Sequence, residues 1–228
     1  MLIPEIEETA KAAQEVAKTA GKAIDASREL GGFFSRVFGG SLEQLAGIGE
    51  DYLTVYRRTR QLRLAKRYEE IRKELSFDGE IKPVELKFGL PLIAAASIEN
   101  DDQLQDLYAR LLATATNPDS KIEAKRAFVS MLQDLGPLEV LLIDLIYSSP
   151  NTPANIVRTG GFPERYSTNL DNANARPSAE VELALWNLVR IGCIEPGGTY
   201  GGGSSIAAVT LTSLGRALVE AAIKVPTR

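Results

Sequence analysis

Between residues 104 and 115 the apolar side chains fall at Leu104, Leu107, Tyr108, Leu111, Leu112 and Ala115. Steps of three and four put all of them on one side of a 3.6-residue turn, whereas a half-buried strand would alternate. A second stripe of the same period runs through Leu53, Tyr56, Leu64, Tyr68, Ile71 and Leu75. Each face has to be covered by another element, so the middle of the chain is expected to be a helical bundle. With 228 residues, 44% hydrophobic and 25% charged, the chain has a globular composition and enough length for one large domain or two small ones.

Several classes of protein are disfavoured at once. The longest uncharged helical candidate, residues 88–98, is about half of the roughly 18 to 20 apolar residues that a membrane-spanning helix needs. The first residues, MLIPEIEETA, are acidic where a secretion signal would be basic and then apolar. A cytoplasmic location is therefore expected. Histidine is missing and Cys193 is the single cysteine, which removes the usual zinc sites, a Ser-His-Asp triad, a Cys-His pair and any disulfide within the chain. Carboxylate-only catalysis stays formally open, but no spacing points to it. We nominate no catalytic, cofactor-binding or metal-binding residue, and expect a protein that is not an enzyme and holds no cofactor.

Three regions are expected: an N-terminal amphipathic helical segment over 1–52, a helical core over 53–136, and a winged-helix-like domain over 137–228. In the first, Ile6, Ala10, Ala13, Ala17, Ala20 and Ile24 make a narrow stripe, and after Gly31 and Gly32 a more hydrophobic face carries Phe34, Val37, Phe38, Leu42, Leu45 and Ile48. In the second, prolines at 83 and 91 predict an extended stretch that turns helical only after Pro91, and Asn100 is placed to cap the next helix. Asp101 and Asp102 then fall in its first turn, where the helix dipole favours them. A further helix is expected over 122–135.

The order of elements in the third region is the most informative feature. Residues 138–146 are apolar enough for a buried helix, and a long polar loop follows. Val181, Ala184, Leu185, Leu188 and Val189 then form a helical stripe that Ser178 starts and Gly192 stops. A short strand over 193–195, the glycine-rich turn GGTYGGGSS, a returning strand IAAVTL and a last amphipathic helix, TSLGRALVEAAI, complete it. The fold class is thus mainly α, with N-terminal amphipathic helices, a central bundle and a C-terminal winged helix bearing a small β-hairpin wing. Leu185, Leu188, Leu214 and Leu218 are expected to share its core, and Trp186 is expected to pack there too.

The stretch PLIAAASIENDDQLQDLYARLLATATNPD, its continuation FVSMLQDLGPLEVLLIDLI and the ending VTLTSLGRALVEAAI resemble the Abi-alpha family of abortive-infection proteins. Those strings are core patterns and contain no active site, so the resemblance carries over no catalytic residue. It implies a bacterial or phage-related role in resisting infection.

Two surfaces are candidates for partner binding. One is the N-terminal apolar face with Phe33, Phe34, Val37, Phe38 and Leu42, which either meets a partner, another copy or a membrane surface, or docks on the helices of 53–135 as ordinary core. The other is the basic run YRRTRQLRLAKRYEEIRK with Arg57, Arg58, Arg60 and Arg63, whose charges could bind phosphate or anionic lipid or could pair with acidic neighbours. Three functions follow: a phage-defence protein acting through protein contacts or self-association, a DNA-binding winged-helix regulator, and a membrane-surface effector. Glu180 and Glu182 in the first turn of the groove-entering helix, a wing without Lys or Arg, and a net charge of −4 argue for weak or absent DNA binding. The membrane surface is not favoured, because Glu43 and Glu50 accompany Arg36 opposite the apolar face.

Overall fold

A computed structural model of the chain describes residues 25, 28–39, 52–77, 79–149, 156–164, 176–199 and 202–224; for 52–56 it describes the backbone only. The fold is mainly helical, with one small antiparallel sheet. Helix α1 has 28–38 as its continuous described part. It is followed by α2 (Tyr52–Glu74), α3 (Leu86–Ile98), α4 (Asp102–Thr116), α5 (Arg126–Gln133) and α6 (Pro137–Ser148). The remaining elements are β1 (Ile156–Arg158), α7 (Ala179–Arg190), β2 (Ile194–Gly198), β3 (Ser204–Leu211) and α8 (Ser213–Leu218), which runs into a π-helical turn at Val219–Ile223.

The two stripes that set the expectation do the packing. Leu64, Tyr68 and Ile71 of α2 and Leu104, Tyr108, Leu111 and Leu112 of α4 are buried, and α2 lies against both α3 and α4. Helix α4 also meets α5 and the π-helical turn, where the Thr114 hydroxyl donates to the Ala221 carbonyl at 2.8 Å. The buried residues form one continuous cluster from Phe33 to Ala222 that crosses the expected divisions at 52/53 and 136/137.

Four local expectations need correction. Helix α3 begins at Leu86 and passes through Pro91 instead of starting after it. The proline forfeits only the N–H that would reach the Lys87 carbonyl, and burial of Phe88, Leu92, Ile93, Ala95 and Ala96 outweighs that bond. The cap of α4 is Asp101 and not Asn100: its carboxylate accepts from the Gln103 N–H at 2.8 Å and the Leu104 N–H at 2.9 Å. Helix α5 is shorter than expected, starting at Arg126, because Asn117, Pro118 and Ser120 shape a turn in which side chains bond the backbone two residues on. Helix α6 buries only Leu142, Ile143 and Ile146 and leaves Leu141 exposed, so its apolar run is wider than its buried face.

The sheet has the order β1-β3-β2. Its outer strand β1 lies inside the stretch expected to be loop, and pairs Val157 with Val209. Three residues give too short a pattern for a strand to be read from periodicity. Strand β2 pairs Ile194 with Leu211, and its register shifts between Pro196 and Gly197. An edge position tolerates Pro196, since a missing N–H costs no ladder bond on the free side. Gly192, at φ +78°, stops α7 in the left-handed region that glycine adopts without penalty. Thr212 then ties that stop to the next helix: its hydroxyl donates to the Gly192 carbonyl at 2.7 Å and accepts from the Gly215 N–H at 2.8 Å.

Candidate interaction surfaces

The N-terminal aromatic face is docked. Phe33, Val37 and Phe38 are buried and Phe34 is half-buried. The Phe33 ring stands edge-on to Tyr68 with centroids 5.6 Å apart, and Phe34 bridges Phe33 and Phe38 at 5.3 and 6.4 Å. Phe38 reaches α3 at Gly89, where a Cβ would come within 2.3 Å of the ring. The Val84 N–H donates to the Val37 carbonyl at 3.0 Å, and Arg36 pairs with Glu69 at 2.9 Å. Phe33, Val37 and Phe38 thus take the core arrangement that was weighed against a partner surface, where burying their apolar area is favourable. Leu42, with Leu45 and Ile48, lies outside the described residues.

The basic run is answered by α4. Arg60 pairs with Asp102 at 2.5 Å and its guanidinium also donates to the Asn100 carbonyl. Arg63 reaches Asp102 at 3.2 Å and Asp106 at 2.9 Å, and Arg67 reaches Asp106 at 2.9 Å and Glu70 at 2.6 Å. Arg110 completes the seam from α4 with Glu74, at 3.5 Å. Beneath it the buried Gln105 amide donates to the Ala96 and Arg60 carbonyls and accepts from Arg63 at 2.8 Å, which fixes α2, α3 and α4 to one another. Arg60 beside Asp102, and Arg67 beside Glu70, hold those carboxyls below their ordinary range, and Glu70 in turn raises Arg67. Arg60 and Arg63 thus face acidic neighbours within the chain: the Asp102 carboxylate accepts a hydrogen bond from Arg60, and Arg63 lies in ion-pair range of Asp102 and Asp106 while donating to the Gln105 side chain and the Asp102 carbonyl. Arg57 and Arg58 are half-buried and make no ion pair among the described residues.

A surface the sequence reading did not nominate is open. On α7, Leu183 is 74% exposed and Trp186 is 37% exposed, one turn apart. Trp186 is therefore not core, and Leu214, 39% exposed beside Gly192, is not core either. Val181, Ala184, Leu185 and Leu188 supply the buried face of α7, against α6 and the sheet. The outer face has Glu180 and Glu182 at its start and Arg190 at its end, where Arg190 pairs with Asp134 at 3.0 Å. The signal was present in the sequence: Leu183 and Trp186 fall opposite the stripe that starts at Val181.

Among the described residues no group of His, Cys, Asp and Glu is placed to hold a metal ion, and no helix is long and apolar enough to cross a membrane. Cys193 is buried, and burial pushes its thiol up to about 12. Residues 59–222, which include the charged seam, α7 and the sheet, match the family model of abortive infection alpha. The chain belongs to the abortive infection alpha family. The match takes in Arg60, Arg63, Asp102 and Asp106 on the seam and Leu183 and Trp186 on α7, while the aromatic face of α1 precedes it. No curated protein and no solved structure is a match.

Proposed function

We propose that this abortive infection alpha protein is a non-enzymatic phage-defence protein of the bacterial cytoplasm that acts through protein–protein contacts. The observation that carries the reading is the outer face of α7, where a leucine and the chain's single tryptophan meet solvent on a helix that starts with two glutamates. Tryptophan is among the residues that supply most binding energy at protein interfaces.

The C-terminal part is proposed to be a winged helix over about 137–223. The succession α6, β1, α7, β2, β3 with sheet order β1-β3-β2, and a glycine-rich turn between the last two strands, supports it. In a DNA-reading use of that fold, α7 would enter the major groove, which asks for basic and amide side chains. Here Glu180, Glu182, Leu183 and Trp186 occupy that face, and Arg190, its one cation, lies at its far end beside Asp134. A fold does not license a function, and these side chains favour a protein surface.

Crosslinking and mass spectrometry from infected and uninfected cells test the reading directly. Crosslinks that join the α7 region to another chain support it. Submicromolar, sequence-selective binding of duplex DNA near physiological salt, lost on changing residues 178–190, would replace it with the regulator reading.

A further inference from the structure

We infer that the outer face of α7 is a self-complementary docking strip, on which a second copy of the chain packs its own α7 antiparallel about a two-fold axis. The inference rests on the interaction reading above and adds the occupant and the register. Leu183, Trp186 and Arg190 follow one another at steps of three and four and project from the side opposite Val181, Ala184, Leu185 and Leu188. Glu180 borders the strip at one end and Arg190 closes the other.

A two-fold axis requires a surface that matches itself, so that residue i meets j and j meets i. Placing the axis at the level of Ala184 and Leu185, through residue 185, sets Glu180 level with the partner's Arg190 and Arg190 level with the partner's Glu180. The same axis leaves Leu183 two residues to one side and the partner's Trp186 one residue to that side. At a rise of about 1.5 Å per residue they sit about 1.5 Å apart along the helix, close enough for the leucine to pack on the indole. One placement therefore satisfies both ends and the middle. A parallel pairing would set Glu180 and Glu182 against their own copies. The antiparallel pairing also runs the two helix dipoles in opposite directions.

The flank agrees as well. Arg190 is held toward Asn187, whose side-chain oxygen accepts from it at 2.8 and 3.1 Å, and toward Asp134. Counting 100° per residue, Asn187 and Glu180 lie on the same side of the strip, and in a two-fold antiparallel pair equal sides face each other. The partner's Glu180 thus arrives beside the Arg190 guanidinium, whose side chain stays 61% exposed while it pairs with Asp134. Twelve residues give a strip about 18 Å long, which suits a weak, concentration-dependent dimer more than an obligate one.

The test is sedimentation velocity of the full chain over a concentration series, with thermal melting of every variant as the folding control. The wild type is expected to shift from monomer to dimer as concentration rises. Leu183→Asp should hold the chain monomeric with an unchanged melting temperature, since the side chain is exposed in the monomer. Arg190→Glu should weaken the dimer about tenfold, and Glu180→Arg combined with Arg190→Glu should restore it. A chain that stays monomeric throughout, or a dimer indifferent to Leu183→Asp, overturns the inference. A dimer sensitive to Leu183→Asp but not restored by the charge exchange overturns the antiparallel register. If the chain is monomeric yet α7 crosslinks to a different protein in infected cells, self-association falls and the interaction reading stands; if α7 binds duplex DNA selectively, both fall.

Discussion

The charged seam between α2 and α4 and the outer face of α7 look alike as sequences, yet they have opposite fates. Both sit on amphipathic helices, and both offer residues suited to recognition: arginines on one, leucine and tryptophan on the other. On α2 a neighbouring helix brings Asp102 and Asp106 within 2.5 to 3.2 Å of Arg60, Arg63 and Arg67, so the cations are spent inside the molecule. On α7 the buried side is complete without Leu183 and Trp186, which stay exposed among the described residues. Whether a side chain that could bind a partner is available depends on what the rest of the chain puts in front of it.

The strongest way to break that contrast lies within α7 itself. Leu188→Asp places a charge in the continuous core, at a cost of several kcal/mol, comparable with much of a domain's total stability. It should give an unfolded or insoluble protein in circular dichroism. The same change five residues earlier, Leu183→Asp, should alter stability by less than about 0.5 kcal/mol, as an exposed site does. Equal losses from the two would show that α7 is covered on both sides. Cys193 supplies an independent readout, because its buried, protonated thiol should react with a thiol reagent only once the region opens.

A smaller effect sharpens the account of α1. Gly89→Ala should cost about 1 to 3 kcal/mol, since the added methyl meets the Phe38 ring at 2.3 Å and Val84 at 3.2 Å. Trimming the ring with Phe38→Leu in the same chain should recover part of that loss, so the two changes are less than additive in urea melts. Simple additivity would place Phe38 elsewhere and return the aromatic face to the list of open surfaces.

The seam should respond least. Asp106→Asn removes the carboxylate shared by Arg63 and Arg67 and is expected to cost about 1 kcal/mol or less, shrinking further in high salt. The pH dependence has a fixed sign. Asp102 and Glu70 have carboxyls held below their unfolded range, so their contribution is present above that range and is lost as pH falls through the lowered folded values. Melting temperatures taken downward from neutral pH should converge for wild type and Asp102→Asn under acid. A gap that instead widened on acidification would mean the seam is not held by these carboxylates.

The sequence alone determined most of the framework. Spacings of three and four fixed α2 and α4, Ser178 and Gly192 bounded α7, and the glycine-rich turn with its two apolar flanks gave β2 and β3. Local periodicity and capping are enough for these, because the signals lie within one turn or one hairpin. They also marked the chain as a relative of abortive infection alpha proteins, through core strings spread over several helices.

What only the tertiary structure decided is which faces stay open. The basic run of α2 was legible in the sequence, but nothing in it could show that α4 would lay two aspartates along one side of it. The aromatic face at Phe33, Val37 and Phe38 was equally consistent with a partner surface until Tyr68 and Gly89 came to meet it. Trp186 and Leu214 had the chemistry of core residues yet stay exposed, and on α7 the buried face is made by Val181, Ala184, Leu185 and Leu188 without Trp186. Burial is a property of two surfaces brought together, and those surfaces come from residues far apart in the chain, so no local reading of either one can settle it.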